Sequence, residues 1–450
     1  QRIQQFRWVE WSLIVLMLFA YMGLAARPGK VFDEGLYYTQ FIRWTQEFGV
    51  VPGLGNLHTR LGFNSHWHLL QASVSWPGTV QHDLNAQLWV LLGFGAIFHL
   101  RRIRTRSRAL FSRFWVLMML LSPLWFNFLT APTADYPLAV LTWLLIWLYL
   151  RRASLLLLTI LAIWGLTIKL SGGLLLLIPL LAWWQKGSRR WQLIPSLIGV
   201  STMLITPWMI RNIILHGYLI FHVPFSAVGV EWQVPAEVVA EERSAIKAWA
   251  RLPGGKDWWL TADQPLIEWL PNWWRMQVPE QQAGILLSLI LGIFSLGRST
   301  LRRIQGIPFS KDALVIGILV LNWLFWFTQA PDPRFGLGAI WGIPLIFLAY
   351  WPKWDHRMGR QALHILMVGA LLIMFRNVEK GLTHPIQSAP FHHPDTQIIS
   401  VPGGSLHLSQ DKRGCFDAAL PCIHVRPDGI GFRGQSVQEG FIHQKKNPDP

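Results

Sequence analysis

Long apolar runs recur along this chain and are separated by shorter polar segments. Runs of this length predict helices that cross a membrane, because a helix in hydrocarbon satisfies its own backbone polar groups. The pattern therefore predicts an all-α polytopic membrane protein with about eleven transmembrane helices. The predicted spans are residues 8–26, 84–100, 109–129, 137–150, 153–168, 170–184, 192–210, 283–297, 313–330, 336–351 and 362–375.

The apolar run from residue 153 to residue 184 decides the predicted topology, because it is too long for one span and is broken at Lys169-Leu170-Ser171-Gly172-Gly173. We interpret it as a helical hairpin. Lysine and arginine collect in short cytoplasmic loops, and only the hairpin puts all the basic clusters on the side of Arg2 and Arg7. These clusters are residues 101–113, 151–152, 186–190, 298–311 and 353–360. The prediction is a bacterial cytoplasmic (inner) membrane protein with a cytoplasmic N-terminus and an extracytoplasmic C-terminus.

Composition agrees with lipid-facing helices, because hydrophobic residues form 52% of the 450 residues and include 27 Trp. One soluble core could not bury so many. The formal net charge of +16 follows mainly from the cytoplasmic clusters, so nucleic acid is not expected as a partner. The sequence contains no P-loop, GxGxxG or CxxCH element, which argues against ATP hydrolysis, dinucleotide chemistry and c-type haem.

The predicted organisation is a transmembrane domain over residues 1–375, with long external segments at 27–83 and 211–282, and an external C-terminal region at 376–450. Apolar residues between Val31 and Gly49 lie near helical spacing. They predict an amphipathic helix on the membrane surface, with Asp33 and Glu34 at its N-terminus.

Both cysteines of the chain, Cys415 and Cys422, lie in the predicted external C-terminal region. In an oxidising compartment, a disulfide that closes this short loop is the favoured interpretation. A zinc site would need more ligands than this pair supplies.

Five short motifs resemble those of the membrane-embedded GT-C glycosyltransferases, specifically the lipid-phosphate-sugar users related to protein O-mannosyltransferases and lipid A aminoarabinose transferases. The order and span placement of the motifs match over roughly residues 8–350. Phe335 stands where Tyr is more usual, and segments 330–335 and 415–422 together are nearer to a poorly characterised bacterial branch. The motifs are Phe32-Asp33-Glu34-Gly35-Leu36-Tyr37, Thr133-Ala134-Asp135-Tyr136-Pro137-Leu138, Leu166-Thr167-Ile168-Lys169, Pro207-Trp208-Met209-Ile210-Arg211-Asn212 and Pro333-Arg334-Phe335.

The resemblance implies a GT-C-like fold with an outward-facing active site. It assigns catalysis to Asp33, Glu34 and Asp135, and donor phosphate binding to Lys169, Arg211 and Arg334. The predicted topology supports this independently, because it places Asp33, Asp135 and the three cations at the outer face. Ionisable residues at membrane depth usually line a cavity or pair with each other.

Each of these residues also has a simpler interpretation. Asp33 and Asp135 could cap helices, Glu34 could be an exposed acid at a helix start, Lys169 could extend from the hairpin tip to water, and the arginines could anchor span ends. A divalent metal held by Glu34 or by the loop histidines is a minority alternative, and no metal ligand is assigned. These histidines are His58, His66 and His68.

The predicted function is an inverting glycosyltransferase that moves a sugar from a polyprenyl phosphate donor to a protein, lipid or glycan acceptor on the extracytoplasmic face. Asp33 would be the base, and the cations would stabilise the departing lipid phosphate. A transporter or flippase is an alternative, although the sequence shows neither inverted repeats nor paired broken helices. A non-catalytic subunit of a larger membrane assembly is a second alternative.

The topology can be tested with tags or single-cysteine labels. Labels after residues 105, 188, 305 and 356 should be cytoplasmic, whereas labels near residues 60, 245 and 430 should react with a membrane-impermeant reagent from outside. External labelling at residue 305 would contradict the hairpin at Lys169.

Overall fold

The computed structural model describes residues 8–25, 31–74, 84–100, 126–349, 392–425 and 429–443, together with residues 365, 368, 369, 371 and 372. The predicted span 109–129 is therefore described only from residue 126 onward. The predicted span 362–375 is described only at those isolated positions.

Helices form most of the described chain. The α-helices are α1 (Trp8–Ala25), α2 (Thr39–Phe48), α3 (Leu54–Leu57), α4 (His66–Val74), α5 (Leu84–Leu100), α6 (Phe126–Leu129), α7 (Asp135–Leu150), α8 (Leu155–Ile168), α9 (Leu177–Trp184), α10 (Ile194–His216), α11 (Ala236–Arg251), α12 (Leu266–Met276), α13 (Pro279–Ile304), α14 (Lys311–Gln329) and α15 (Leu337–Ala349). A π-helix covers Glu34–Tyr38, and 3₁₀ segments cover Thr59–Gly62, Leu170–Leu176, Gly187–Leu193, Pro224–Ser226, Trp258–Ala262, Pro333–Gly336 and Val437–Glu439.

Three described helices are long and apolar enough to cross a membrane, namely Trp191–His216, Pro279–Ile304 and Lys311–Gln329. Apolar helices of 10–17 residues cover further predicted spans, and they are Glu10–Tyr21, Leu84–Phe98, Asp135–Leu150, Leu155–Ile168, Leu170–Trp184 and Pro333–Ala349. The prediction of a mainly helical chain with helices long and apolar enough to cross a membrane is thus confirmed. The count of eleven spans stays a prediction.

The largest apolar core joins the helices of the predicted membrane domain. Buried side chains of α1, α5, α7, α8, α14 and α15 contribute to one cluster. Helix α15 packs against α7, α13 and α14, and α1 packs against α5. This packing brings the N-terminal ends of α7 and α15 close to the C-terminal ends of α8 and α14.

The structure breaks the helix at Lys169, where the sequence analysis places the hairpin tip. Helix α8 ends at Ile168, and Lys169 has extended backbone angles of φ −158° and ψ 138°. Gly172 approaches Gly165 so closely that a Cβ atom on Gly172 would overlap the Gly165 backbone. Only glycine at this position permits the observed contact between the two arms.

The predicted amphipathic helix is present, but its setting differs from the prediction. It begins as a π-helix and continues as α2 up to Phe48. Its apolar side chains Phe41 and Trp44 lie in a protein core that includes Leu406 and Phe441 of the C-terminal region. The expectation that this face rests on the membrane surface is therefore wrong. The apolar face of this helix is buried by a protein core instead of by lipid.

The C-terminal region contains two small sheets, so the all-α prediction is wrong for this part of the chain. The first sheet has the order β1-β2-β3, with β1 antiparallel to β2 and β3 parallel to β2. The second sheet pairs β4 antiparallel to β5. The strands are β1 (Thr396–Val401), β2 (Gly404–Ser409), β3 (Cys422–Ile423), β4 (Ile430–Phe432) and β5 (Phe441–His443). A disulfide joins Cys415 to Cys422, whose Cα atoms lie 6.0 Å apart.

The disulfide loop docks onto the π-helix beside Asp33. The backbone N–H of Phe416 donates to the carbonyl oxygen of Gly35 at 3.0 Å. The Gln40 side chain donates to the carbonyl oxygens of Phe416 and Ala418 at 2.9 and 3.1 Å. The Phe416 ring occupies the space that a Cβ atom on Gly35 would need. The C-terminal region is thus fitted directly onto the segment that follows Asp33.

This contact predicts that Gly35→Ala lowers the unfolding temperature of the full-length protein in detergent. The added methyl group would have to displace the Phe416 ring, which also packs against His392 at 4.6 Å. A cost of about 1–3 kcal/mol is typical for overpacking. The matched control is Gly199→Ala in α10, where a Cβ atom would meet open space. Equal unfolding temperatures for both variants would contradict a tight contact at Gly35.

Candidate functional site

A cavity of about 240 Å³ lies where the π-helix meets the ends of α7, α8 and α14. One part of its wall is charged and another part is apolar. The charged residues in the wall are Asp33, Arg60, Asp135, Lys169 and Arg334. The larger apolar and aromatic residues include Ile168, Leu170, Phe221, Ile246, Trp249, Phe325, Trp326 and Phe335. Four of the residues predicted from sequence thus share one cavity.

Asp33 accepts hydrogen bonds from two arginines. Its Oδ1 accepts from Nη1 of Arg60 at 3.1 Å, and its Oδ2 accepts from Nη1 of Arg334 at 2.7 Å. Only 6% of the Asp33 residue surface is exposed. Asp33 directly precedes the π-helix, a distortion that often marks functional positions. The Asp33 side chain makes no capping hydrogen bond to that helix. Its carboxylate instead accepts hydrogen bonds from the two arginines.

Each arginine also contacts a second carboxylate. Nε of Arg60 donates to Glu242 in α11 at 2.9 Å, and Nε of Arg334 donates to Asp332 at 3.0 Å. The result is a line of alternating charges in the order Glu242, Arg60, Asp33, Arg334 and Asp332. It connects the segment that carries Asp33 and Arg60 to α11 and to the link between α14 and α15.

A second ion pair joins Asp135 to Lys169. Asp135 is the first residue of α7, and Lys169 lies at the break after α8. The Lys169 ammonium donates to Oδ1 of Asp135, whereas Thr133 donates to Oδ2 at 3.1 Å. The ammonium also lies 3.6 Å from the centre of the Phe335 ring. Phe335 therefore supplies a cation–π contact to the lysine.

The arginines determine the ionisation of Asp33. Burial alone would raise its pKa, but the charges of Arg334 and Arg60 outweigh burial and hold the pKa below its ordinary value. Asp33 is therefore ionised at neutral pH. Burial lowers the pKa values of the cavity residues His68 and His222 to about 4. The positive charge of the cavity thus comes from Arg60, Lys169 and Arg334.

Two residues predicted for the site lie outside the cavity wall. Arg211 donates to the carbonyl oxygen of Gly49 at 3.0 Å and to Thr45 at 3.3 Å. Glu34 follows Asp33, but its partly buried side chain is not part of the wall. Burial raises the pKa of Glu34 to about 7.

The histidines considered as metal ligands do not converge. Nε2 of His68 lies 2.8 Å from the carbonyl oxygen of Pro132, and Nδ1 of His58 accepts from the backbone N–H of Arg60. In the described part of the chain, no three His, Cys, Asp or Glu residues form a group that could hold a metal ion. Both oxygens of Asp33 also face arginines. This arrangement does not fit a divalent metal.

A family model described as Domain of unknown function (DUF8201) matches residues 1–341 of the chain. The match covers more than half of the sequence and all of the cavity-lining residues. The chain belongs to this family. No curated protein matches it significantly. The matched stretch ends before the strands of the C-terminal region.

Sequence reasoning missed Arg60 and Glu242, which lie in polar segments without a distinctive motif. No sequence signal distinguishes Arg60, because the long predicted external segments carry other basic residues as well, such as Arg43 and Lys247.

The raised pKa of Glu34 predicts a pH-dependent effect of Glu34→Gln on stability. Because the pKa is about 7 in the folded protein and 4.5 ordinarily, the wild-type protein loses stability as pH rises from about 4.5 to about 7. A glutamine at position 34 cannot ionise, so the Glu34→Gln variant does not lose stability in this way. The variant should unfold at a higher temperature than wild type at pH 8, whereas the two should be similar at pH 4.5.

The control for this experiment is Glu268→Gln, at an exposed position on α12. Glu268→Gln should leave the difference in unfolding temperature between pH 8 and pH 4.5 the same as in the wild-type protein. A Glu34→Gln protein that is less stable than wild type at pH 8 would show that the Glu34 carboxylate is stabilised in its ionised form.

Proposed function

We propose that this protein is a membrane-embedded glycosyltransferase of the GT-C kind that takes a sugar from a polyprenyl phosphate donor. The observation that carries the proposal is the shared cavity of Asp33, Asp135, Lys169 and Arg334. These residues come from four separate parts of the chain. The motif resemblance, which uses the sequence alone, also assigns these four residues to one site.

The proposed phosphate site consists of Lys169, Arg334 and Arg60. Arg60 and Arg334 each use Nε and Nη1 for their carboxylate partners. Their Nη2 groups have no hydrogen-bond partner among the described residues. Lys169 uses one N–H for Asp135. A phosphate can therefore bind the remaining donors through charge-assisted hydrogen bonds while the existing ion pairs stay in place.

The apolar side of the cavity favours a lipid-linked phosphate over a soluble one. Leu170 and Phe325 belong to the wall and are about 40% exposed. Trp249 of α11 also lines the cavity, and its ring stacks on Phe32 at 6.1 Å. An apolar surface beside a phosphate site suits the first isoprene units of a polyprenyl chain, because their burial removes apolar area from water.

The proposed reaction is an inverting displacement. The acceptor hydroxyl oxygen bonds to the anomeric carbon, the bond from that carbon to the phosphate oxygen breaks, and the electron pair leaves with the phosphate. The hydroxyl proton passes to Asp33. Its lowered pKa makes Asp33 a weak base, so stabilisation of the leaving phosphate by the cations provides most of the catalysis. Asp135 positions the Lys169 ammonium through their ion pair.

The proposed setting is a bacterial cytoplasmic membrane crossed by about eleven spans, with the cavity facing out. The cavity lies at the ends of α7, α8, α14 and α15 that the charge pattern assigns to the outside. Lipid-linked sugars are the donors that suit this side. The acceptor is a protein, lipid or glycan hydroxyl.

The test of the phosphate site uses purified protein in detergent with undecaprenyl phosphate as the probe. Lys169→Ala and Arg334→Ala should weaken binding by roughly 10- to 150-fold, the equivalent of one charge-assisted contact of about 1.5–3 kcal/mol. Arg211→Ala is the matched control, because this arginine lies outside the cavity wall. Equal weakening in all three variants would contradict the proposed site.

The test of catalysis uses Asp33→Asn, which keeps the size of the side chain and removes the basic carboxylate. Membranes that contain this variant should bind undecaprenyl phosphate but release none from undecaprenyl-phosphate sugars. Wild-type membranes should release it in the presence of acceptor. Full release by Asp33→Asn would eliminate Asp33 as the base, and binding without release by wild type would favour a non-catalytic subunit.

A further inference from the structure

A second cavity of about 430 Å³ lies at the opposite ends of α14 and α15 from the first one. Helix α14 lines the first cavity with residues near its C-terminal end, such as Phe325, and the second with residues near its N-terminal end, such as Ala313. This helix of 19 residues is about 28 Å long. The two cavities are therefore separate sites.

The second cavity has a basic wall on helix α13. Arg298 and Arg302 are one helical turn apart and share a face with Ser295 and Ser299. Neither arginine forms an ion pair with another described residue. Asp312 is the only acid among the described residues that line the cavity, so the lining carries more positive than negative charge.

The N-terminus of α14 adds to the attraction for anions. Ser310 and Asp312 at this end line the cavity. The Ser310 side chain makes no capping hydrogen bond to the helix. The first N–H groups of α14 thus lie near the two arginines, and a helix N-terminus favours negative charge.

The remaining wall is apolar and consists of Phe294, Ala313, Ile316, Ile346 and Phe347. It continues into the outer surface of α13, where Ile290 and Ile293 are 60% and 64% exposed. Arg298 comes directly after the predicted apolar span of this helix. The cavity therefore has a cationic part at the depth of lipid headgroups and an apolar part at the depth of acyl chains.

We propose that the second cavity binds an anionic phospholipid, with its phosphate between Arg298 and Arg302 and an acyl chain against the exposed side chains of Phe294 and Ile293. A soluble phosphate would gain nothing from the apolar wall. A zwitterionic lipid would bring a positive group toward the arginines. The combination of unpaired arginines, a helix N-terminus and an apolar wall selects a glycerophospholipid with net negative charge. This site is independent of the proposed glycosyl transfer.

The test is native mass spectrometry of the full-length protein in detergent with phosphatidylglycerol or phosphatidylcholine as the probe. The wild-type protein should retain phosphatidylglycerol in preference to phosphatidylcholine. Arg298→Gln and Arg302→Gln should each weaken its retention roughly fivefold, and the double variant roughly 25-fold. Arg303→Gln is the matched control, because Arg303 is exposed on the same turn but does not line the cavity.

Three outcomes would overturn the proposal. One is equal retention of the two lipids by wild type, and another is an equal loss in Arg303→Gln and Arg302→Gln. The third is displacement of phosphatidylglycerol by millimolar inorganic phosphate, which would identify a soluble anion as the ligand. Arg298→Lys keeps the charge and should retain the lipid better than Arg298→Gln. This comparison separates charge from a loss of folding.

Discussion

The Asp33 carboxylate, placed between Arg60 and Arg334, is the interaction on which the candidate site depends. Its two oxygens receive one arginine each, and it is almost fully buried. Two guanidinium groups so close together would repel each other without the charge between them. Because Glu242 and Asp332 extend the line at either end, the ion pairs on either side of Asp33 connect its segment to α11 and to the link between α14 and α15.

Sequence reasoning located part of the site because depth along a predicted span is readable from hydropathy. Asp33, Asp135 and Arg334 were singled out by the motif resemblance, and the predicted topology put them at one level. Arg211 stands at a similar level, yet its side chain reaches Gly49 rather than the cavity. Depth does not specify the direction around a helix axis. Arg60 and Glu242 were missed since they lie in polar segments, where tertiary contacts and not periodicity bring them to Asp33.

The fold was predictable to a similar extent, because the apolar helices leave a strong one-dimensional signal. The break at Lys169 was also readable from the glycines that follow it. The surroundings of α2 could not be predicted from the sequence. An amphipathic helix needs an apolar neighbour, but its sequence does not specify whether that neighbour is lipid or protein. The C-terminal strands are only two to six residues long. Strands this short leave too little alternation of apolar and polar residues to be distinguished from a loop. Their formation also depends on pairing with each other and on the disulfide loop.

The docking of the disulfide loop on Gly35 has a consequence for the order in which the protein matures. Gly35 leaves the ribosome long before Phe416, so their hydrogen bond closes a long loop of the chain. Contacts between such distant residues form late. The segment that carries Asp33 therefore keeps the apolar face of α2 incompletely covered until the C-terminal region has been synthesised. Completion of this part of the protein depends on a segment that is far away in sequence.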